Sequence, residues 1–157
     1  MKKAIVTGSF DPVTLGHIDI IKRAANEYDE VYAVIFTNPN KSYTFDLSKR
    51  MQMLILATED IDNCLASFSN GLVIDYMRDH GIKTIVRGYR NETDLAYEKE
   101  MAEWNYKHSG YETVLLKCDE GLKEVSSSLV REKIQKGEPL EEFLSKNVIT
   151  FIQNIDK

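Results

Sequence analysis

Apolar positions along this chain alternate between two patterns. Short apolar runs at 3–7, 31–37, 64–68, 84–86 and 113–117 predict strands. Between them, apolar residues recur at helical spacing and predict helices over 17–27, 48–57, 72–79, 93–107 and 127–136, with a last, broken helix over 140–155. The first helix is the clearest, with Ile18, Ile21, Ala25 and Tyr28 on one face. Gly81, just after Asp79-His80, reads as a helix stop before the next strand. Repeated βα alternation predicts an α/β fold, a doubly wound parallel sheet with helices on both faces. No repeat, low-complexity stretch or linker interrupts the pattern, so a single domain over residues 1–157 is expected.

Ligands of such a sheet sit beyond the carboxyl ends of its strands. The turn after the first strand, Thr7-Gly-Ser-Phe-Asp-Pro-Val-Thr-Leu-Gly-His17, contains glycine and ends in an imidazole at a helix start. Backbone N–H groups and the helix dipole face an anion there. Gly8 permits close backbone approach and Pro12 shapes the turn. Thr14 and His17 stand three residues apart, so a hydroxyl and an imidazole flank the same helix terminus. The segment is neither a P-loop nor a Gly-x-Gly-x-x-Gly fingerprint, because only Gly8 and Gly16 are present.

Other candidates also cluster after predicted strands. Lys41 follows the second, in Asn38-Pro-Asn-Lys41. Arg87 and Arg90 follow the fourth, and two guanidinium forks suit a phosphate, with Asp94 and Glu98 available as competing salt-bridge partners. Glu98 opens a charged stretch whose plain reading is a solvated helix face, while Trp104 and Asn105 read as packing and capping residues. Ser126, Ser127 and Ser128 precede Leu129, Val130 and Ile134; one serine suffices as a cap, and three fit an anion cradle.

Composition narrows the partners. With 43% hydrophobic and 29% charged residues, the chain is that of a soluble globular protein with enough length for a sizeable core. A net charge of −5 speaks against a large nucleic-acid surface, although a few converging cations still bind anions. Cys64 and Cys118 have no metal or redox spacing and read as buried small hydrophobes in a reduced cytoplasmic setting. Neither a signal peptide nor a membrane span is expected.

The segment Gly8-Ser-Phe-Asp-Pro-Val-Thr-Leu-Gly-His17 resembles the first signature of the nucleotidyltransferase superfamily that carries a His/Thr-x-Gly-His motif. Two further segments follow in the same order, Arg87-Gly-Tyr-Arg90 with Tyr97-Glu98, and Val125-Ser-Ser-Ser-Leu-Val-Arg131. Together they resemble the bacterial phosphopantetheine adenylyltransferase family over nearly the whole chain. The resemblance implies a Rossmann-like domain that transfers the adenylyl group of ATP to 4′-phosphopantetheine, giving dephospho-coenzyme A and pyrophosphate. It implies His17 as the transition-state stabiliser, and Ser9, Lys41, Arg87 and Val73 as acceptor contacts. ATP contacts would be Ser9, Phe10, His17, Gly88, Tyr89, Arg90, Glu98 (to ribose hydroxyls), Val125, Ser126, Ser127 and Ser128. Ser9 stands where the family often has threonine and keeps the hydroxyl. Leu122 and Glu124 stand where aromatics are common, which alters how adenine would pack. Also implied are Mg²⁺ carried mainly by phosphates and water with no protein metal site, coenzyme A as a product-like inhibitor, and a homohexamer. Val148, Ile149, Phe151, Ile152 and Ile155 would then serve either an interface or the core. A phosphate monoester is mostly dianionic at neutral pH, so the acceptor needs no general base. The alternatives are a related transferase using nicotinate mononucleotide or glycerol phosphate, and a nucleotide-sensing module without turnover.

Overall fold

Five parallel strands form one sheet in the order β3-β2-β1-β4-β5. They are β1 (Lys3–Gly8), β2 (Glu30–Phe36), β3 (Cys64–Ser69), β4 (Thr84–Tyr89) and β5 (Glu112–Lys117). The helices are α1 (Leu15–Glu27), α2 (Leu47–Thr58), α3 (Val73–His80), α4 (Glu92–Ser109), α5 (Ser127–Lys136) and α6 (Lys146–Asn154), with a short 3₁₀ turn at Glu120–Leu122. This computed structural model describes residues 1–155. The doubly wound parallel sheet expected from the βα alternation is what the chain forms.

Side chains alternate across the sheet, and the alternation assigns its two faces. Ala4, Val6, Val31, Ala33, Ile35 and Val86 point into the larger core with α1, α2, α5 and α6. Ile5, Val34 and Ile85 point the other way and pack with Met77 of α3 and with Ile82. Chain order reverses between β1 and β4, since β1 to β3 run outward on one side and β4 to β5 on the other. That switch point is where a doubly wound sheet opens a crevice. Here the opening is visible in the register. β1 and β4 pair only at Ala4–Thr84 and Ile5–Ile85. By contrast, β1 stays paired to β2 through Gly8–Ile35, and β4 to β5 through Tyr89–Lys117.

Helix boundaries follow local chemistry. Thr14, Asp46, Asn91 and Ser126 cap α1, α2, α4 and α5 through side-chain oxygens that accept backbone N–H groups. Gly81 ends α3 in the left-handed conformation, φ 67°, as its position suggested.

Several expectations need correction. β4 runs three residues past its apolar stretch, so Arg87, Gly88 and Tyr89 lie on the strand rather than after it. The last helix starts only at Lys146. Leu140–Leu144 makes one isolated turn, with Leu144 N–H donating to Leu140 O, before Ser145 reverts to extended backbone. Val148 is fully buried, and Ile149, Phe151, Ile152 and Ile155 pack against the main core, so this region belongs to the core. Cys64 and Cys118 are half-buried rather than buried. Desolvation raises the Cys64 thiol to about 11. Trp104 is half exposed and stacks on His108 at 3.9 Å instead of packing inward. Glu98, whose plain reading is a solvated helix face and whose family reading is a nucleotide contact, is the single buried residue among the described residues of α4.

Candidate active site

Where β1 and β4 part, they enclose a cavity of about 480 Å³. One lip is the end of β1 and the turn into α1; the other is the end of β4 with the start of α4. The N-terminus of α5 closes the third side. Ser9, Phe10, His17, Arg87, Gly88, Tyr89, Arg90, Glu98, Val125, Ser126, Ser127 and Ser128 all line it, which brings together nearly every residue singled out in the sequence.

The first lip is built by local backbone geometry. Thr14 caps α1: its hydroxyl accepts His17 N–H at 3.3 Å, while Thr14 N–H donates to His17 Nδ1 at 2.9 Å. Because Nδ1 accepts a hydrogen bond from the Thr14 backbone N–H, a neutral His17 must carry its own proton on Nε2. The ring is neutral at physiological pH: desolvation, then the charges of Arg87 and Arg90, lower its pKa to about 4. Phe10 is buried and meets the imidazole edge-on, with centroids 4.9 Å apart. Its φ of 46° is rare for a residue with a side chain, and such strained backbone concentrates at functional sites. Pro12 follows a cis peptide bond from Asp11.

The second lip is built by ion pairs. Arg87 lies two residues after Ile85 and so points to the α3–α4 face, as does Thr7 two after Ile5. Its Nε donates to Glu98 Oε2 at 3.0 Å and its NH2 to Glu98 Oε1 at 2.8 Å. NH1 donates to the carbonyl and hydroxyl oxygens of Thr7 at 2.9 and 3.1 Å. Arg90 Nε pairs with Asp94 at 3.1 Å. The competing salt bridges are therefore both formed. Gly88, on the opposite face, has a packing reason as well as a place in the cavity. A Cβ there would lie 2.9 Å from Ile20 of α1.

At the third side, Ser126 is the cap and accepts Leu129 N–H. Ser127 Oγ donates to Pro12 O at 2.9 Å, and Arg131 donates to Asp11 O and to Ser128 Oγ. These bonds lock α5 to the first turn and aim the helix N-terminus into the cavity, where the N–H groups of a first turn suit anions. Leu122 lines the wall; Glu124 is exposed and does not.

Two predicted residues lie apart. Lys41 lines a neighbouring cavity of about 260 Å³ with Asp11, Tyr43 and Arg131; Ser9 belongs to both cavities. Val73 packs at the edge of the Met77 cluster and does not line the main cavity. Other contributors had no assigned role: Thr7, the Thr14 backbone, Tyr97, Cys118 and Arg131. Thr7 and Arg131 lie inside or beside the quoted motifs, and only strand register or helix phase would have marked them. Among the described residues, no group of three or more His, Cys, Asp or Glu side chains is placed to hold a metal ion.

A parallel sheet with a histidine-bearing first turn and a second helix N-terminus across its switch point is the architecture of a nucleotidyltransferase. Residues 5–133 match the family model described as cytidylyltransferase-like, and the chain belongs to that family. Within it, three relatives are named phosphopantetheine adenylyltransferase. That of Thermotoga neapolitana is 42% identical over 146 residues, covering 92% of this chain and 91% of the relative. That of Clostridium novyi is 39% identical over 155 residues, covering 98% and 96%. That of Thermobifida fusca is 42% identical over 135 residues, covering 86% and 82%. A solved structure from Vibrio parahaemolyticus, provisionally assigned as a nicotinate-nucleotide adenylyltransferase, superposes with a TM-score of 0.73 over 98% of this chain and 93% of its own. At 18% identity it bears on the fold alone.

Proposed function

We propose that this chain transfers the adenylyl group of ATP to 4′-phosphopantetheine, releasing pyrophosphate and forming dephospho-coenzyme A, a step of coenzyme A synthesis. The observation that carries the mechanism is His17, neutral and held by Thr14 N–H so that Nε2 keeps its proton for a ligand. An oxygen of the acceptor phosphate attacks the α-phosphorus; the new P–O bond forms as the bond to the β-phosphate oxygen breaks. The acceptor dianion needs no base and nothing is oxidised or reduced. What this chain supplies is alignment, capable of roughly 7–11 kcal/mol, and donors for growing charge, each about 3–4 kcal/mol when well placed. His17 Nε2–H would donate to a nonbridging α-phosphoryl oxygen. Ser9, Lys41 and Arg87 would hold the acceptor phosphate, with Val73 further along the pantetheine arm. Arg90, Glu98, Tyr89, Gly88, Phe10 and the Val125–Ser128 cradle would hold ATP.

The carboxylates around the cavities are already committed. Asp11 accepts Thr44 and Phe45 N–H groups, Asp94 pairs with Arg90, and Glu98 with Arg87. That donor set fits Mg²⁺ carried by substrate phosphates and water rather than by a protein cage. When bound, the ion would offset phosphate charge.

The reading extends to a homohexamer in the cytoplasm with coenzyme A as a product-like inhibitor. Leu65, Phe68 and Leu72 along the exposed edge near β3 are apolar surface that assembly would cover, and no helix among the described residues is long and apolar enough to cross a membrane. Incubating the protein with ATP, Mg²⁺ and 4′-phosphopantetheine tests the reaction. Dephospho-coenzyme A and pyrophosphate should appear in equal amounts. Pyrophosphate release only with nicotinate mononucleotide or glycerol phosphate, or none with any acceptor, would overturn it.

A further inference from the structure

Arg50 of α2 is only 2% exposed, yet no carboxylate among the described residues lies within salt-bridge distance. A buried guanidinium without a counter-ion is unfavourable unless other groups replace water. Here Nε donates to Phe45 O at 3.0 Å and NH1 to Ser9 O at 3.2 Å, while the guanidinium carbon lies 3.9 Å from the centroid of the Tyr43 ring. Only arginine combines a flat face for an aromatic ring with an edge that donates to two carbonyls. The same ring has Lys41 Nζ 5.5 Å from its centroid, and the Tyr43 hydroxyl accepts Asn38 N–H at 2.9 Å. Asp11 adds two ties, accepting Thr44 N–H at 2.8 Å and Phe45 N–H at 2.9 Å. The segment 38–45 is thus bound to the first turn at several points, and its ammonium group rests near an aromatic face rather than a carboxylate.

We infer that Tyr43, seated on the buried Arg50, is a positioning residue that holds Lys41 at the mouth of the smaller cavity, beside Ser9, for delivery to the acceptor phosphate. The inference rests on the acceptor role proposed for Lys41. A carboxylate partner would compete with a dianionic phosphate for the ammonium; an aromatic ring orders it while leaving its N–H groups for the ligand.

Steady-state kinetics with 4′-phosphopantetheine test it. Tyr43→Leu should lower acceptor kcat/KM by about fivefold and leave the KM for ATP within about twofold, the range of a cation–π contact. Tyr43→Phe, which keeps the ring, should restore most of the loss. Because Tyr43 acts through Lys41, the double variant Tyr43→Leu/Lys41→Ala should be no worse than Lys41→Ala alone. Wild-type acceptor kinetics in Tyr43→Leu, equal losses for ATP and acceptor, or multiplied losses in the double variant would overturn the inference while leaving the acceptor site standing. Unchanged acceptor kinetics in Lys41→Ala would overturn both.

Discussion

The two lips of the cavity reach readiness by different routes. The β1–α1 turn is ordered by its own backbone: a cap, a reciprocal bond to an imidazole and a strained Phe10 behind it. No charge there has a counter-charge to surrender. The β4 lip is ordered by ion pairs, with four Arg87 contacts on Glu98 and Thr7 and Arg90 on Asp94. Its cations are rigid but shared. A guanidinium carries five N–H donors, and Arg87 has one to spare without breaking its pair. On the proposed reading, the contrast would separate a donor acting chiefly on transition-state charge from cations that bind charge already present in the ground state.

Breaking the first lip should have the largest effect. His17→Ala is expected to lower kcat by about 100-fold or more, the range for removing a preorganised donor. ATP affinity, measured by calorimetry, should change little, because the contribution is confined to the transition state. Near-normal kcat would remove His17 from the chemistry.

Breaking the second lip should act on binding. Arg87→Ala is expected to lower acceptor kcat/KM by about 10- to 100-fold, the loss of charge-assisted hydrogen bonds, with ATP binding largely kept. It also strands the buried Glu98 carboxylate. Unfolding should become easier by about 2 kcal/mol, short of a fully buried pair because Arg87 itself is about one-third open. A defect confined to ATP would place Arg87 on the other substrate.

An effect read only as a change with pH links the lips. Folding lowers the His17 pKa from 6.5 to about 4, first by burial and then through the charges of Arg87 and Arg90. Between those values the unfolded chain binds a proton that the folded chain refuses. This contribution to stability is therefore complete above pH 6.5 and falls as pH drops toward 4. Urea midpoints at pH 7 and pH 4.5 should separate by more in the wild type than in His17→Asn. Equal separations would mean that His17 is not held neutral.

Much of this was legible in the residues. Apolar periodicity located all five strands and the helices, and the Gly8–His17 turn and Ser126–Ser128 stand at helix starts beside the cavity, as their spacing suggested. The misses have physical causes. Arg87-Gly-Tyr interrupts the apolar run of β4, yet the strand continues, because its ladder to β5 needs only backbone and α4 offers Glu98 to the outward charge. Glu98 looks solvated within a charged helix, although the motif singles it out; the register of Arg87 relative to Ile85 shows why this carboxylate faces inward. Leu140 and Leu144 have helical spacing but make a single turn, since both reach the core before Ser145 redirects the chain. Arg50, beside Lys49 near the start of α2, carries no sequence signal of burial; the tertiary approach of Ser9 and Tyr43 creates it.

The central claim, that this cavity joins an adenylyl group to a phosphorylated acceptor, is tested most directly by offering two acceptors that differ in one group. Lys41 has no carboxylate partner among the described residues and Arg87 keeps one N–H beyond its bonds to Glu98 and Thr7, so both would meet a phosphate, and a site built for a charged group discriminates strongly against an analogue lacking it. With ATP and Mg²⁺ fixed, pyrophosphate release should proceed with 4′-phosphopantetheine and be undetectable with dephosphorylated pantetheine. Comparable turnover of the two would contradict the account.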